Sequence, residues 1–87
     1  MNPPKVHNVL LAVNEADASA AIRRDPTMAN WSVITRESQL YGLWIGEWAV
    51  TEAAAEGMRQ YPRMVSYLRW RAELTALVLE QTQPRSN

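Results

Sequence analysis

No cysteine occurs anywhere in the 87-residue chain. A chain this short has little interior to spare. Folding should bury about 64% of the surface that the extended chain exposes, which leaves room for one modest core. Disulfides and thiolate-bound zinc, the usual reinforcements of small secreted domains, are excluded. Stability must therefore come from apolar packing within one domain, and a reducing, cytoplasmic setting is the expected one. The whole of 1–87 is read as that domain, with 1–5 and 83–87 as flexible ends.

The missing residue types also limit chemistry. His7 is the single histidine, so neither an ordinary histidine zinc site nor a Ser-His-Asp triad with a nucleophile elbow is available. No catalytic, metal or cofactor residues are assigned, and the chain is not expected to be an enzyme. The longest uninterrupted apolar run, Val9 to Val13, is far too short to span a bilayer. Met1-Asn2-Pro3-Pro4-Lys5 lacks the apolar stretch of a signal peptide.

The segment Val6–Val13 is apolar and valine-rich after a Pro-Pro lead, which predicts a buried strand. Asn14 is placed to cap a helix over Ala16–Arg24, with Glu15 and Asp17 in the first turn, Arg23 and Arg24 in the last, and Asp25-Pro26 as the stop. Trp31–Thr35 is dense in aromatic and β-branched residues and predicts a second strand. Arg36–Tyr41 is polar and reads as a connection.

Leu43–Val50 is ambiguous. As a strand it places Trp44, Gly46, Trp48 and Val50 on one face; as a helix it aligns Leu40, Leu43, Trp44 and Trp48. The strand is the preferred reading. Thr51 caps a following helix, and Pro62 starts or kinks another. Arg63–Gln81 is the clearest helix, with Tyr67, Trp70, Leu74, Leu77 and Val78 as its apolar stripe. The order predicts an α+β fold: a three-stranded sheet (strand-helix-strand-strand) covered by a long C-terminal helix. The first strand-helix-strand unit should form a parallel pair. An all-α bundle is the alternative.

Four features bear on function. The strand-to-helix junction Val13-Asn14-Glu15-Ala16 has free N–H groups but no glycine and no Walker-type lysine, and its acids repel anions. It reads as an ordinary capped helix. Arg59, Arg63, Arg69 and Arg71 alternate with Tyr61, Tyr67 and Trp70, with no acid from 59 to 71. Arginine and aromatics together can hold a nucleic acid. Yet the net charge is zero, and Tyr67 and Trp70 belong to the apolar stripe, so a protein partner is favoured.

Glu37, Glu47, Glu52 and Glu56 have no metal-loop spacing and read as solvated; Glu47, between Trp44 and Trp48, is the exception to watch as a buried acid or an edge-strand guard. Four tryptophans in so small a chain are more than one core can hide, so some should reach the surface and bind. The candidate partner-binding residues are Trp44, Trp48, Arg59, Arg63, Arg69 and Trp70.

The Arg-rich, cysteine-free single domain resembles small accessory proteins of bacteriophages or other mobile elements of GC-rich bacteria. Val9–Ile34 is similar in layout to one strand-helix-strand unit of nucleotide-binding α/β proteins, without their glycine-rich loop. The first resemblance implies action by binding a host protein. The functional expectation is a non-enzymatic protein-interaction module that binds a partner and itself. A nucleic-acid-binding regulator using Arg59–Arg71 is the alternative, and a pocket enzyme or sensor using Glu47 is a third reading.

Overall fold

A computed structural model describes residues 5–82. The expected flexible ends lie outside these residues except for Lys5, which is exposed. The elements are β1 (Val6–Leu11), α1 (Glu15–Arg24), β2 (Ser32–Ile34), β3 (Trp44–Val50), α2 (Glu52–Gly57) and α3 (Tyr61–Thr82), with single 3-10 turns at Pro26–Met28 and Glu37–Gln39. The fold is α+β, and the all-α alternative does not hold.

The sheet has the order β2-β1-β3, with both neighbours parallel to β1. The first strand-helix-strand unit thus forms the parallel pair its order predicts. The third strand joins the other edge of β1. The central strand is buried on both faces, which is why Val9–Ala12 is continuously apolar. Its side chains alternate between two cores. Leu10 and Ala12 pack with Ala18 and Met28 beneath α1. Val9 and Leu11 pack with Ile34, Leu40, Ile45, Ala54, Met64, Val65 and Leu68 beneath α2 and α3.

Local chemistry sets the helix starts. Asn14 Oδ1 accepts from Asp17 N at 2.8 Å, and Thr51 Oγ1 accepts from Ala54 N at 3.0 Å, as the two caps require. Pro62 sits in the first turn of α3, where its missing N–H has no intrahelical partner to lose. The polar connection between β2 and β3 carries one fully buried residue, Leu40, which enters the α3-side core.

Two expectations are corrected. The first is strict alternation along β3. The pairing jumps from His7↔Ile45 to Val9↔Trp48, so Gly46 and Glu47 together oppose Asn8 in a bulge. After it, Ile45, Trp48 and Val50 serve the same core and Ala49 serves the other. Glu47 is exposed at this edge, and its N–H donates to Asn8 Oδ1 at 2.9 Å.

A Cβ on Gly46 would lie 2.7 Å from Asn8 Oδ1 and 2.8 Å from Val6 Cγ1. Gly46→Ala should therefore displace the Asn8 amide from Glu47 and cost about 1–2 kcal/mol. Gly57→Ala meets nothing within 4 Å and should gain about 0.5–1 kcal/mol from helix propensity. Urea unfolding of the two variants checks both signs, and equal responses would remove the bulge from the account.

The second correction concerns α3. Of the stripe Tyr67, Trp70, Leu74, Leu77 and Val78, the core takes only a half-buried Tyr67. The core otherwise takes Met64, Val65, Leu68 and Thr75, with Ala72 packed alongside. Trp70 and Leu77 remain 56% and 57% exposed. Thr75 can enter the core because its hydroxyl donates to the Arg71 carbonyl at 2.7 Å.

Candidate interaction surface

The exposed flank of α3 and the start of β3 form a continuous run of rings and charges. The Arg71 guanidinium lies 4.6 Å from the centre of the Trp44 ring and 5.5 Å from that of Trp70. It is held there by its Nε, which donates to the Leu43 carbonyl at 3.0 Å. Trp70 meets Tyr67 edge-on at 5.8 Å, and Tyr67 meets Tyr41 edge-on at 5.4 Å. The Tyr67 hydroxyl accepts from Gly42 N at 3.1 Å. Gly42 has φ +87°, a left-handed turn conformation that favours glycine.

The run ends in an ion pair. Arg63 donates from Nε and its terminal nitrogen to the two Glu37 oxygens at 2.5 and 2.7 Å. This two-pronged contact holds the Glu37 carboxyl below its ordinary value, partly offset by desolvation, with the Tyr41 hydroxyl adding a smaller lowering. The same carboxylate raises Tyr41 and Arg63. The bridge therefore persists as pH falls past the point where an isolated glutamate takes up a proton.

Of the six residues expected to bind a partner, Trp44, Trp70 and Arg63 belong to this run. Trp48 does not: its half-buried side chain packs against the core beneath α3. Arg59 and Arg69 are exposed. The sequence-based set omits Arg71, Tyr67, Tyr41 and Glu37. Arg71 and Tyr67 stand in the basic-aromatic segment already picked out, whereas Glu37 and Tyr41 sit in a stretch whose polarity marks it only as a connection.

The other expected sites are plain. At the start of α1 the Asp17 carboxylate accepts from Val13 N at 3.0 Å and from the Thr51 hydroxyl at 2.5 Å, so an internal acid occupies the junction between β1, β3 and α1. Glu47, Glu52 and Glu56 are exposed. Among the described residues no group of three His, Asp or Glu side chains is placed to hold a metal, and no pocket is formed. No helix among them is long and apolar enough to cross a membrane. No family model matches the chain, and no curated protein or solved structure matches it either.

Proposed function

We propose that this chain is a protein-interaction module, without a reaction of its own, that docks through the outward face of α3 and the adjoining Trp44–Arg71–Trp70 stack. One observation carries the reading: α3 has two apolar faces, and the second, with Tyr67 at its margin packed against the core, leaves Trp70 and Leu77 exposed. Helical geometry puts Met64, Leu68, Ala72 and Thr75 within about 80° of arc, and Tyr67, Trp70, Leu74 and Leu77 within another about 80°, their centres about 140° apart. Trp70 and Leu77 on the second face are more than half exposed. Large apolar and aromatic side chains grouped on a surface are the usual anchors of protein contacts.

The arginines support a protein over a nucleic acid. Arg63 is engaged by Glu37, and Arg71 by a carbonyl and two rings, which leaves the exposed Arg59 and Arg69 as the segment's remaining basic residues. Backbone phosphate binding rests on several uncommitted charges. A reducing compartment fits a chain without cysteine.

A photo-crosslinking residue in place of Trp70, compared with one at the exposed Ser19 on α1, tests the proposal. Irradiation of cells producing each variant should give discrete protein adducts from position 70 and none from position 19. No adduct from 70, or the same adducts from both, would overturn it.

A further inference from the structure

Three rings stand in a row along α3 and the loop beside it. Tyr67 is half-buried against the core, and its hydroxyl is held by the Gly42 N–H at 3.1 Å. Tyr41 and Trp70, each 56% exposed, cross it at 89° and 66°, with centres 5.4 and 5.8 Å away. The row is therefore stepped: a fixed ring lies between two exposed ones. Resting on the docking reading above, we infer that the occupant of this row is a proline-rich segment of another protein, in the polyproline II conformation and with an acidic residue beside its prolines.

Shape, hydrogen bonding and charge all point to that ligand. Steeply crossed rings leave steps that a pyrrolidine ring can fill, and aromatic-lined surfaces are where polyproline II segments dock. Such a segment repeats every three residues, or about 9 Å. The two steps of the row together reach little further than one such turn. Prolines one turn apart would thus meet Tyr41 and Trp70.

The row offers donors and few acceptors. Both Glu37 oxygens are taken by Arg63, and the Tyr67 hydroxyl already accepts from Gly42 N. The Trp70 indole N–H and the terminal nitrogens of Arg71 have no acceptor among the described residues. Proline has a carbonyl and no N–H, so a proline-rich chain presents acceptors alone. An ordinary extended chain would bring N–H groups with few partners here, and a helix, which satisfies its own backbone, would leave these donors unused.

Charge adds the acid. Arg63 and Arg71 stand about one turn to either side of Tyr67, about 12 Å apart along α3. Glu37 balances only Arg63. Glu73, the next acid along α3, lies about 120° round the helix from Tyr67. An acid on the ligand therefore answers Arg71 at the Trp70 end of the row.

Two octaproline peptides, one with a glutamate at each end and one with a lysine, are titrated into the isotope-labelled full chain. The Trp70 indole and Gly42 amide resonances report the row. The glutamate peptide should shift both and saturate with a Kd on the order of 0.1 mM, leaving the Trp31 indole in place. The lysine peptide should bind at least about threefold more weakly at low salt. Tyr41→Ala and Trp70→Ala, both at exposed positions, should each weaken binding at least about tenfold with unchanged circular dichroism spectra. Tyr41→Phe keeps the ring, and Leu77→Ala lies outside the row; both should stay within about threefold of the parent.

No shift of either resonance up to about 5 mM peptide overturns the inference. Equal binding of the lysine peptide overturns the acidic requirement. A loss in Leu77→Ala as large as that in Tyr41→Ala overturns the proline ligand in favour of a helix laid along α3. Discrete adducts from position 70 with no peptide binding would leave the docking reading standing and remove the proline ligand alone, whereas the absence of both removes the two together.

Discussion

Leu68→Ala should lower the unfolding free energy by about 3 kcal/mol, within the roughly 2–5 kcal/mol that truncating a buried leucine costs. Leu68 is fully buried at the centre of the α3-side core, among Val9, Leu11, Ile45, Met64 and Val65. Its removal leaves a void between helix and sheet that the strands cannot close without losing their ladder. Small domains hold about 5–15 kcal/mol in all, so this single change removes a large share. The melting temperature should fall by about 12–24 °C, at roughly 4–8 °C per kcal/mol for a chain of this size.

Leu77→Ala on the same helix is the control, because Leu77 is 57% exposed and its truncation should cost no more than about 0.5 kcal/mol. The pair of melts decides which face of α3 holds the fold. Equal losses at 68 and 77 would mean that the outward face is part of the core.

That contrast also marks where the sequence can be read and where it cannot. Asn14 and Thr51 announce helix starts because capping is local: the side chain bonds a backbone N–H three residues on, whatever the rest of the fold does. The valine-rich run of β1 is equally plain, since only a strand buried on both faces tolerates so continuous an apolar stretch.

The face of α3 is not local. Tyr67, Trp70, Leu74 and Leu77 are the larger apolar set, and hydrophobicity alone makes them the core. The sheet instead takes the flank where Met64 and Leu68 are followed by the smaller Ala72 and Thr75. The bulge at Gly46 is hidden for a related reason. Its signal is a glycine that weakens strand and helix readings alike, and its cause is the Asn8 side chain on another strand.

The candidate surface is half legible. The basic-aromatic segment 59–71 and Trp44 stand out by composition. The pairing of Glu37 with Arg63 joins residues 26 apart, and no spacing rule reaches that far. Arg71 is interchangeable with its neighbours in the sequence, and only its position above Trp44 and Trp70 separates it from Arg69.

Asp17→Ala should cost about 2–3 kcal/mol, the second large effect expected of a single side chain. The Asp17 carboxylate accepts the Val13 N–H from the end of β1 and the Thr51 hydroxyl from the end of β3. Thr51 is itself buried and bonds the Leu11 carbonyl through its own N–H at 3.0 Å. Here the two paths diverge: the chain leaving β1 turns onto the α1 face, and the chain leaving β3 turns onto the α3 face. Parallel sheets present their ligand crevices at such a divergence. In this chain an internal carboxylate bridges it and locks the two faces together.

Hydrogen bonds to a charged acceptor are worth about 1.5–3 kcal/mol each when their loss strands the partner. Val13 is half-buried and Thr51 buried, which limits the compensation from water. Asp17→Asn keeps the shape and one acceptor oxygen and should lose about half as much.

Thr51→Val should be costly too, since it removes both the donor to Asp17 and the cap on α2. In a double-mutant cycle with Asp17→Ala, the combined loss should fall short of the sum by about 1–2 kcal/mol, the energy of the bond the two share. Strict additivity would show that the bridge stores nothing. The faces would then be held by the β1–β3 ladder and the Asp17–Val13 bond.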